Sequence, residues 1–306
     1  MAKAVGVYVD LSNLNMGGGY GMRFDVLRDF ASRDGYNPVR LNVYAVFDEE
    51  KGRTDSNYRH GTNDFYSTLR DWGYKVIEKK VKWFTDEMGV RHSKANTDLE
   101  MAVDALLQSE GMEKVILATG DGDFVQVARA LQSKGLRCEV TAFKNVSYDL
   151  KKEADLFVSG YLIPGLLPIE GGGEWGKPGS KVRGTCNKFF KDKGYGFMRF
   201  LNKLDNLWIT DPRKPPSPYG SAFAHLYNFR DQTVADELPS RDIVFEFDLT
   251  PGEKGMEARN IVPVNEGRKR GNSFAAADKR GPADHHEDYP AGDEELPEYS
   301  ANAETP

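Results

Sequence analysis

Through its first 158 residues the chain alternates between two hydrophobic periods, and this restricts the fold more than any other feature. Val5-Gly6-Val7-Tyr8-Val9 is a short, β-rich run of the kind a buried strand requires. Arg23 to Ala31 follows at helical spacing, with Phe24, Leu27, Phe30 and Ala31 on one side. Leu41 to Phe47 reads as a second strand, Asp64 to Trp72 as a helix stopped by Gly73, and Tyr74 to Ile77 as a third strand. Thr97-Asp98-Leu99-Glu100 has the form of a capping box, and Leu99, Ala102, Val103, Leu106 and Leu107 then give an apolar stripe. A fourth strand is expected at Val115 to Ala118, a helix from Phe124 to Ser133 ended by Gly135, and a fifth strand at Leu136 to Phe143. Strands alternating with helices imply βαβ units, a parallel sheet and a three-layer α/β domain.

Beyond residue 158 the helical period disappears. Pro164, Pro168, Gly171-Gly172-Gly173, Gly176 and Pro178-Gly179 have linker chemistry. Short strand-like runs separated by turns then predict a small all-β module ending near Val264. The expected division is an α/β domain over 1–160, a Gly/Pro linker over 161–180, a β module over 181–265 and a charged tail over 266–306. In the tail, Arg268-Lys269-Arg270 and Lys279-Arg280 precede a stretch from Gly281 onward that holds acids and no Lys or Arg. Such a composition predicts a disordered end that competes with polyanions for basic surface. No apolar run approaches the ~18–20 residues of a membrane span. Two cysteines, Cys138 and Cys186, make no disulfide framework and read as inert reduced thiols. Membrane, disulfide-rich secreted and collagen-like classes are excluded, and a cytoplasmic location is expected.

The chemistry-bearing residues are acids at strand ends. Asp10 follows the first strand, and Asp121 and Asp123 follow the fourth, within Thr119-Gly120-Asp121-Gly122-Asp123-Phe124. In an open parallel sheet, ligands bind outside the carboxyl ends of strands where the strand order reverses. If the first and fourth strands are neighbours there, these carboxylates converge. Asp98, in the first turn of its helix, supplies a fourth, and Asn13 adds a neutral oxygen or amide donor. Carboxylates without His or Cys suit a hard cation, Mg²⁺ or Mn²⁺. The chemistry they point to is phosphodiester hydrolysis. Gly17-Gly18-Gly19-Tyr20-Gly21 lacks the Lys-Ser/Thr of a phosphate-binding P-loop and reads as a flexible lip beside the site.

Val9-Asp10-Leu11-Ser12-Asn13, Lys94-Ala95-Asn96-Thr97-Asp98 and Thr119-Gly120-Asp121-Gly122-Asp123-Phe124 resemble the three motif blocks of NYN domains, LabA-like branch, within the PIN-like nuclease superfamily. The resemblance covers about residues 1–160. It implies a metal-dependent ribonuclease in which Asp10, Asp98, Asp121 and Asp123 bind the metal and Asn13 is an active-site polar partner. Asp104 matches a commonly acidic helix position, either as part of the site or only as a residue that orients a neighbour.

In the β module, Lys188-Phe189-Phe190-Lys191-Asp192-Lys193-Gly194-Tyr195-Gly196-Phe197 interleaves rings and cations. At strand period Tyr195 and Phe197 share a face, and so do Phe223 and His225; the intervening glycines leave that face flat. Nucleobases are the usual partners of exposed rings on a basic strand. With Ile243 to Phe247 and Glu257 to Ile261, these clusters resemble a cold-shock domain, an OB-type barrel. The resemblance implies that Phe189, Tyr195, Phe197, Phe223 and His225 stack on single-stranded RNA while Lys188 and Lys193 meet phosphates. The expected function is a metal-dependent ribonuclease that captures single-stranded RNA, because the sequence keeps all the acids; the alternative is a regulator that holds RNA or single-stranded DNA without cutting. Homo-oligomerisation stays open as well.

Overall fold

The computed structural model describes residues 3–85, 91–94, 97–253 and 255–264. The charged tail and Ala95-Asn96 of the second motif block lie outside the described residues. In chain order the first unit contains β1 (Lys3–Asp10), α1 (Leu11–Leu14), α2 (Phe24–Ser32), β2 (Tyr36–Phe47), α3 (Glu49–Thr54) and α4 (Ser56–Asp71). It continues with β3 (Lys75–Lys80), a hairpin of β4 (Lys82–Thr85) and β5 (Arg91–Lys94), and α5 (Asp98–Leu107). Then come β6 (Lys114–Ala118), α6 (Val125–Ser133), β7 (Arg137–Ala142), α7 (Tyr148–Glu153) and β8 (Leu156–Ser159). Six strands form one sheet in the order β3-β2-β1-β6-β7-β8, every pair parallel. The strand order reverses between β1 and β6, so the end of Asp10's strand lies beside the strand that leads into Asp121.

Alternation along the central strands sends side chains to two different cores. Val5, Val7, Val9, Ile116 and Ala118 face α1, α2 and α4. Tyr8, Val115, Leu117, Cys138 and Val140 face α5, α6 and α7. This is the three-layer arrangement expected from the alternating periods, with one strand more than the sequence announced. β8 is only four residues, Leu-Phe-Val-Ser, and three of them are half-buried. An edge strand this short carries too little apolar periodicity to stand out. Helix α4 likewise begins eight residues before the expected Asp64, where Asp55 accepts from the Tyr58 N–H as its N-cap.

Helix α5 departs from its pattern. Its buried side chains are Met101 and Ala105, whereas Leu99 and Leu107 are each 72% exposed and Val103 43%. Thr97 makes no side-chain capping bond, and Glu100 instead pairs with Lys79 at 2.6 Å. The helix is anchored through a polar contact: the Tyr44 hydroxyl donates to Asp104 at 2.8 Å, and Asn42 donates to both Tyr44 and Gln108. These bonds orient Met101 toward the sheet; Ala102 and Leu106 of the expected stripe still pack beside it, while Leu99, Val103 and Leu107 turn to solvent.

The second unit is a closed five-stranded barrel of β9 (Lys181–Phe190), β10 (Tyr195–Leu201), β11 (Tyr219–His225), β12 (Ser240–Gly252) and β13 (Gly255–Pro263), in the order β10-β11-β13-β12-β9. Its interior holds Val182, Cys186, Phe189, Met198, Phe200, Phe245 and Phe247. Both cysteines are buried and free, and burial raises each thiol to about 12, outside the range where it would react.

The barrel is seated on the sheet rather than tethered to it. Tyr161, Ile163 and Leu166, within the expected linker, are buried in the α1/α2/α4 core, as are Leu201, Leu207 and Val244 of the barrel. The long connection between β10 and β11 supplies Leu207, whose carbonyl accepts from the Tyr219 hydroxyl at 3.0 Å. Trp175 closes the join by donating to the Leu201 carbonyl at 2.6 Å. Arg183 reaches across it to the Leu167 carbonyl at 2.8 Å and stacks on Tyr161.

Candidate active site

Asp10 is the last residue of β1 and the N-cap of α1, accepting from the Asn13 N–H at 3.0 Å. The Thr119 hydroxyl lies 3.4 Å from its other carboxylate oxygen and accepts from the Asp121 N–H at 3.2 Å. Asn13 does not project a free oxygen: its Oδ1 accepts from the Gly120 N–H at 2.7 Å. Asn13 and Thr119 therefore lock the end of β1 to the loop after β6. The sequence marks Asn13 as a polar partner but gives Thr119 no role of its own. The signal for the lock is a short polar side chain within three residues of an acid at each of two adjacent strand ends.

Asp10 is only 4% exposed. Burial pushes its carboxyl up to about 6, the negative charges of Asp98 and Asp121 push the same way, and the bonds from Asn13 and Thr119 oppose them. Asp98 and Asp121 are both half-buried, and the charge of each reaches Asp10. Asp123 stands apart. Its side chain is exposed, and its backbone N–H donates to Asp121 Oδ1 at 2.9 Å, which makes the Asp-Gly-Asp turn. Gly122 fits there because a Cβ would come within 3.0 Å of Ser147 Oγ, and the Ser147 N–H donates to the Gly120 carbonyl at 2.8 Å. The donor set, carboxylates without imidazole or thiolate, has the chemistry a hard divalent ion prefers. Among the described residues, however, no three His, Cys, Asp or Glu side chains form a group that could hold a metal ion as they stand.

The glycine loop beside the site is not a loose lip. Gly17 and Gly19 are buried, and the Gly17 carbonyl accepts from the Lys144 N–H at 2.8 Å. A Cβ on Gly19 would strike the Phe143 ring, and Gly18 sits at φ +90° beneath Tyr161. The glycines let the chain after α1 lie flat on the end of β7. Tyr20 is exposed at its turn.

On the barrel, Tyr195, Phe197 and Phe223 form one outward ring cluster, with centroids 5.4–6.3 Å apart. Phe190 extends it, 5.2 Å from Tyr195. Lys188 and Lys193 both stand over the Phe190 ring, and His225 stacks on Tyr227 at 4.1 Å. Phe189 is a correction. It pairs across the strands with inward-facing Gly196 and is buried in the barrel core, edge-on to Phe229. Residues directly opposite in an antiparallel pair point to the same side. Register thus sends Phe189 inside and Phe190, opposite Tyr195, outside. Gly196 does not flatten the outer face: it faces inward, where a Cβ would strike the Lys188 carbonyl.

The NYN domain model matches residues 4–166, and the chain belongs to the NYN-domain family, which is a family of PIN-like nucleases. The match ends before the barrel begins. The low amplitude and bright protein LabA of Synechococcus elongatus is 29% identical over 136 residues, covering 44% of this chain and 68% of LabA. A protein of unknown function from Vibrio parahaemolyticus, known from a crystal structure, is 23% identical; the match covers 52% of this chain and 93% of that one at a TM-score of 0.40. Among the described residues, no helix is long and apolar enough to cross a membrane.

Proposed function

We propose that the protein is a divalent-metal-dependent ribonuclease whose barrel captures single-stranded RNA. The observation that carries this reading is Asp10, buried at the strand-order reversal, with its carboxyl raised by burial and by the charges of Asp98 and Asp121. Such a gathering is costly without a counter-ion and suits one that holds a phosphate. Asp10, Asp98 and Asp121 would hold Mg²⁺ or Mn²⁺, and Asp123 stands exposed at the rim, placed to meet an incoming ion or RNA. A bound ion supplies charge neutralisation at the phosphate and a more acidic water. The chain's own part is to fix the acids: Thr119 and Asn13 tie two strand ends together, and the Tyr44–Asp104 bond sets the helix that carries Asp98.

The barrel's strand order supports an OB-type reading of the cold-shock kind. Counting from β9, it runs 2-3-5-4-1, and the outer face of the second and third strands is where OB barrels bind oligonucleotides. That face here carries Tyr195, Phe197, Phe223 and His225, with Phe190 and Tyr227 beside them. Family membership supports the nuclease part alone, since the match stops at residue 166.

Labelled RNA incubated with the purified chain and Mn²⁺ or Mg²⁺ tests the reading. Cleavage that EDTA stops, and that Asp121→Asn and Asp10→Asn abolish, is the expected result. Intact RNA held in salt-sensitive complexes would instead identify a protein that binds without cutting.

A further inference from the structure

The aromatic face of the barrel and the acidic pocket lie on different units, and the surface between them carries two arginines that no described carboxylate neutralises. Arg199 follows Phe197 by two residues on β10 and so shares its outward side. Its guanidinium is held entirely by neutral groups. It stacks on Tyr219 at 4.7 Å, and Nη1 lies 3.4 Å from the Thr210 carbonyl. In the amide orientation that satisfies both neighbours, Asn187 accepts from Arg199 Nε at 2.7 Å and donates to Thr185 at 2.8 Å. No described carboxylate pairs with Arg199; the charge that acts on it is another cation, Arg241, and burial together with that cation lowers its pKa.

Arg241 lies on a bulge. The β12–β9 register slips between Ser240 and Val244, and the Ser240 hydroxyl accepts from the N–H groups of Asp242 and Ile243 at 3.2 Å. Bulges re-aim side chains. Here Ile243 turns into the core, Asp242 turns to Lys151 of α7 at 3.5 Å, and Arg241 is exposed, with its charge acting on Arg199. Helix α7 continues the line. Lys151 is one turn, about 6 Å, from the N-cap Ser147, which is bonded to Gly120 in the acid-bearing loop. From Phe197 through Arg199 and Arg241 to the start of α7 come rings, then guanidiniums without carboxylate partners, then the Asp242–Lys151 pair, and, one turn up α7, Ser147 bonded to the loop that carries Asp121.

We propose that Arg199 and Arg241 form a phosphate-binding step that carries one continuous RNA strand from the aromatic face of the barrel to the acidic pocket. This rests on the single-strand reading above and adds to it a substrate class: unstructured RNA long enough to occupy both units at once. Two guanidiniums without carboxylate partners, Arg199 held by neutral groups and Arg241 exposed, suit a phosphodiester backbone, which Arg recognises by a planar pair of donors. The bulge is then the device that places Arg241 in line, while Asp242 and Lys151 hold the two units in register.

The test measures binding of fluorescent oligouridylates of about 6 and about 20 nucleotides to the full chain in EDTA, across a salt series. Arg241 is exposed, so Arg241→Ala and Arg241→Glu should leave thermal unfolding unchanged. Both should weaken the long RNA, by about threefold and by tenfold or more, and lower the slope of log affinity against log salt by about 0.7 for each phosphate no longer neutralised. The short RNA, which fits on a barrel face alone, should change less than twofold. Arg199→Ala should act in the same direction as Arg241→Ala. Phe197→Ala should weaken both lengths and separates the two ideas. If it weakens binding while the arginine variants keep the wild-type slope on the long RNA, the phosphate step is wrong and the barrel reading stands. If Phe197→Ala changes neither length, the barrel reading itself falls, and this proposal with it.

Discussion

Replacing Asp10 by Asn probes the charge of the pocket without disturbing its shape. Asn caps helices about as well as Asp, so the bond from the Asn13 N–H is kept. What is lost is a buried negative charge. The carboxyl titrates at 3.8 in an unfolded chain and near 6 in the fold, chiefly through burial. Because the folded value is the higher, the folded state holds its proton longer. Below pH 3.8 both states are protonated and no penalty exists; between 3.8 and 6 the penalty grows; above 6 it is complete. At about 1.4 kcal/mol per pK unit it amounts to about 3 kcal/mol at neutral pH. Asp10→Asn should therefore be more stable than the parent at pH 7.5 in EDTA, by up to about 3 kcal/mol, and the gap should close as pH falls toward 4. Millimolar Mn²⁺ should narrow or reverse it, because an ion held by Asp10, Asp98 and Asp121 stabilises only the parent, by about 2.7 kcal/mol at a hundredfold excess over Kd. Urea unfolding between pH 4 and 8, with and without Mn²⁺, measures all three effects. A variant less stable than the parent in EDTA at pH 7.5, or a gap that ignores pH, would refute the reasoning.

Three further outcomes follow from the packing. Met101→Ala should cost about 2–5 kcal/mol of stability and Leu99→Ala less than about 0.5, since the first side chain is buried under α5 and the second stands in solvent; chemical denaturation of the two variants decides it. Phe189→Ala should destabilise the barrel by about 3–5 kcal/mol, whereas Phe197→Ala should leave unfolding unchanged and cost about 1–3 kcal/mol of single-strand affinity, read by calorimetry and fluorescence titration. Lys114 is 1% exposed over the Tyr36 ring, and burial, with Arg33 adding to it, lowers its ammonium from 10.5 to about 8. The penalty of about 3 kcal/mol is full below pH 8 and relieved as pH rises to 10.5. Lys114→Met should accordingly stabilise the fold at pH 7 and lose that advantage above pH 10.5 in a pH series of urea melts.

The junction between the units changes how the chain reads as a whole. Residues 161–180 have the glycines and prolines of a spacer, yet Tyr161, Ile163 and Leu166 are buried, and the β10–β11 connection returns Leu207 to the same core. Asp34 and Asn206 add a bond between the units at 3.1 Å. Gly and Pro describe local turns; whether those turns are free or packed depends on apolar partners far away in sequence.

Periodicity was enough to establish the parallel α/β architecture, the placement of acids at strand ends and the ring-bearing face of the β module. These follow from local spacing: period two for strands, 3.6 for helices, and the backbone polarity that forces loops to strand ends. The strand order was a condition in that reading, and the fold supplied it by laying β6 against β1. Four details needed long-range contacts. Tyr44 and Asp104 turned Leu99, Val103 and Leu107 of α5 outward, cross-strand register chose Phe190 over its neighbour Phe189, Gly120 claimed the Asn13 oxygen, and a bulge left Arg241 exposed. A sequence lists what each side chain prefers; which preference is met is settled by partners that only the folded chain brings within reach.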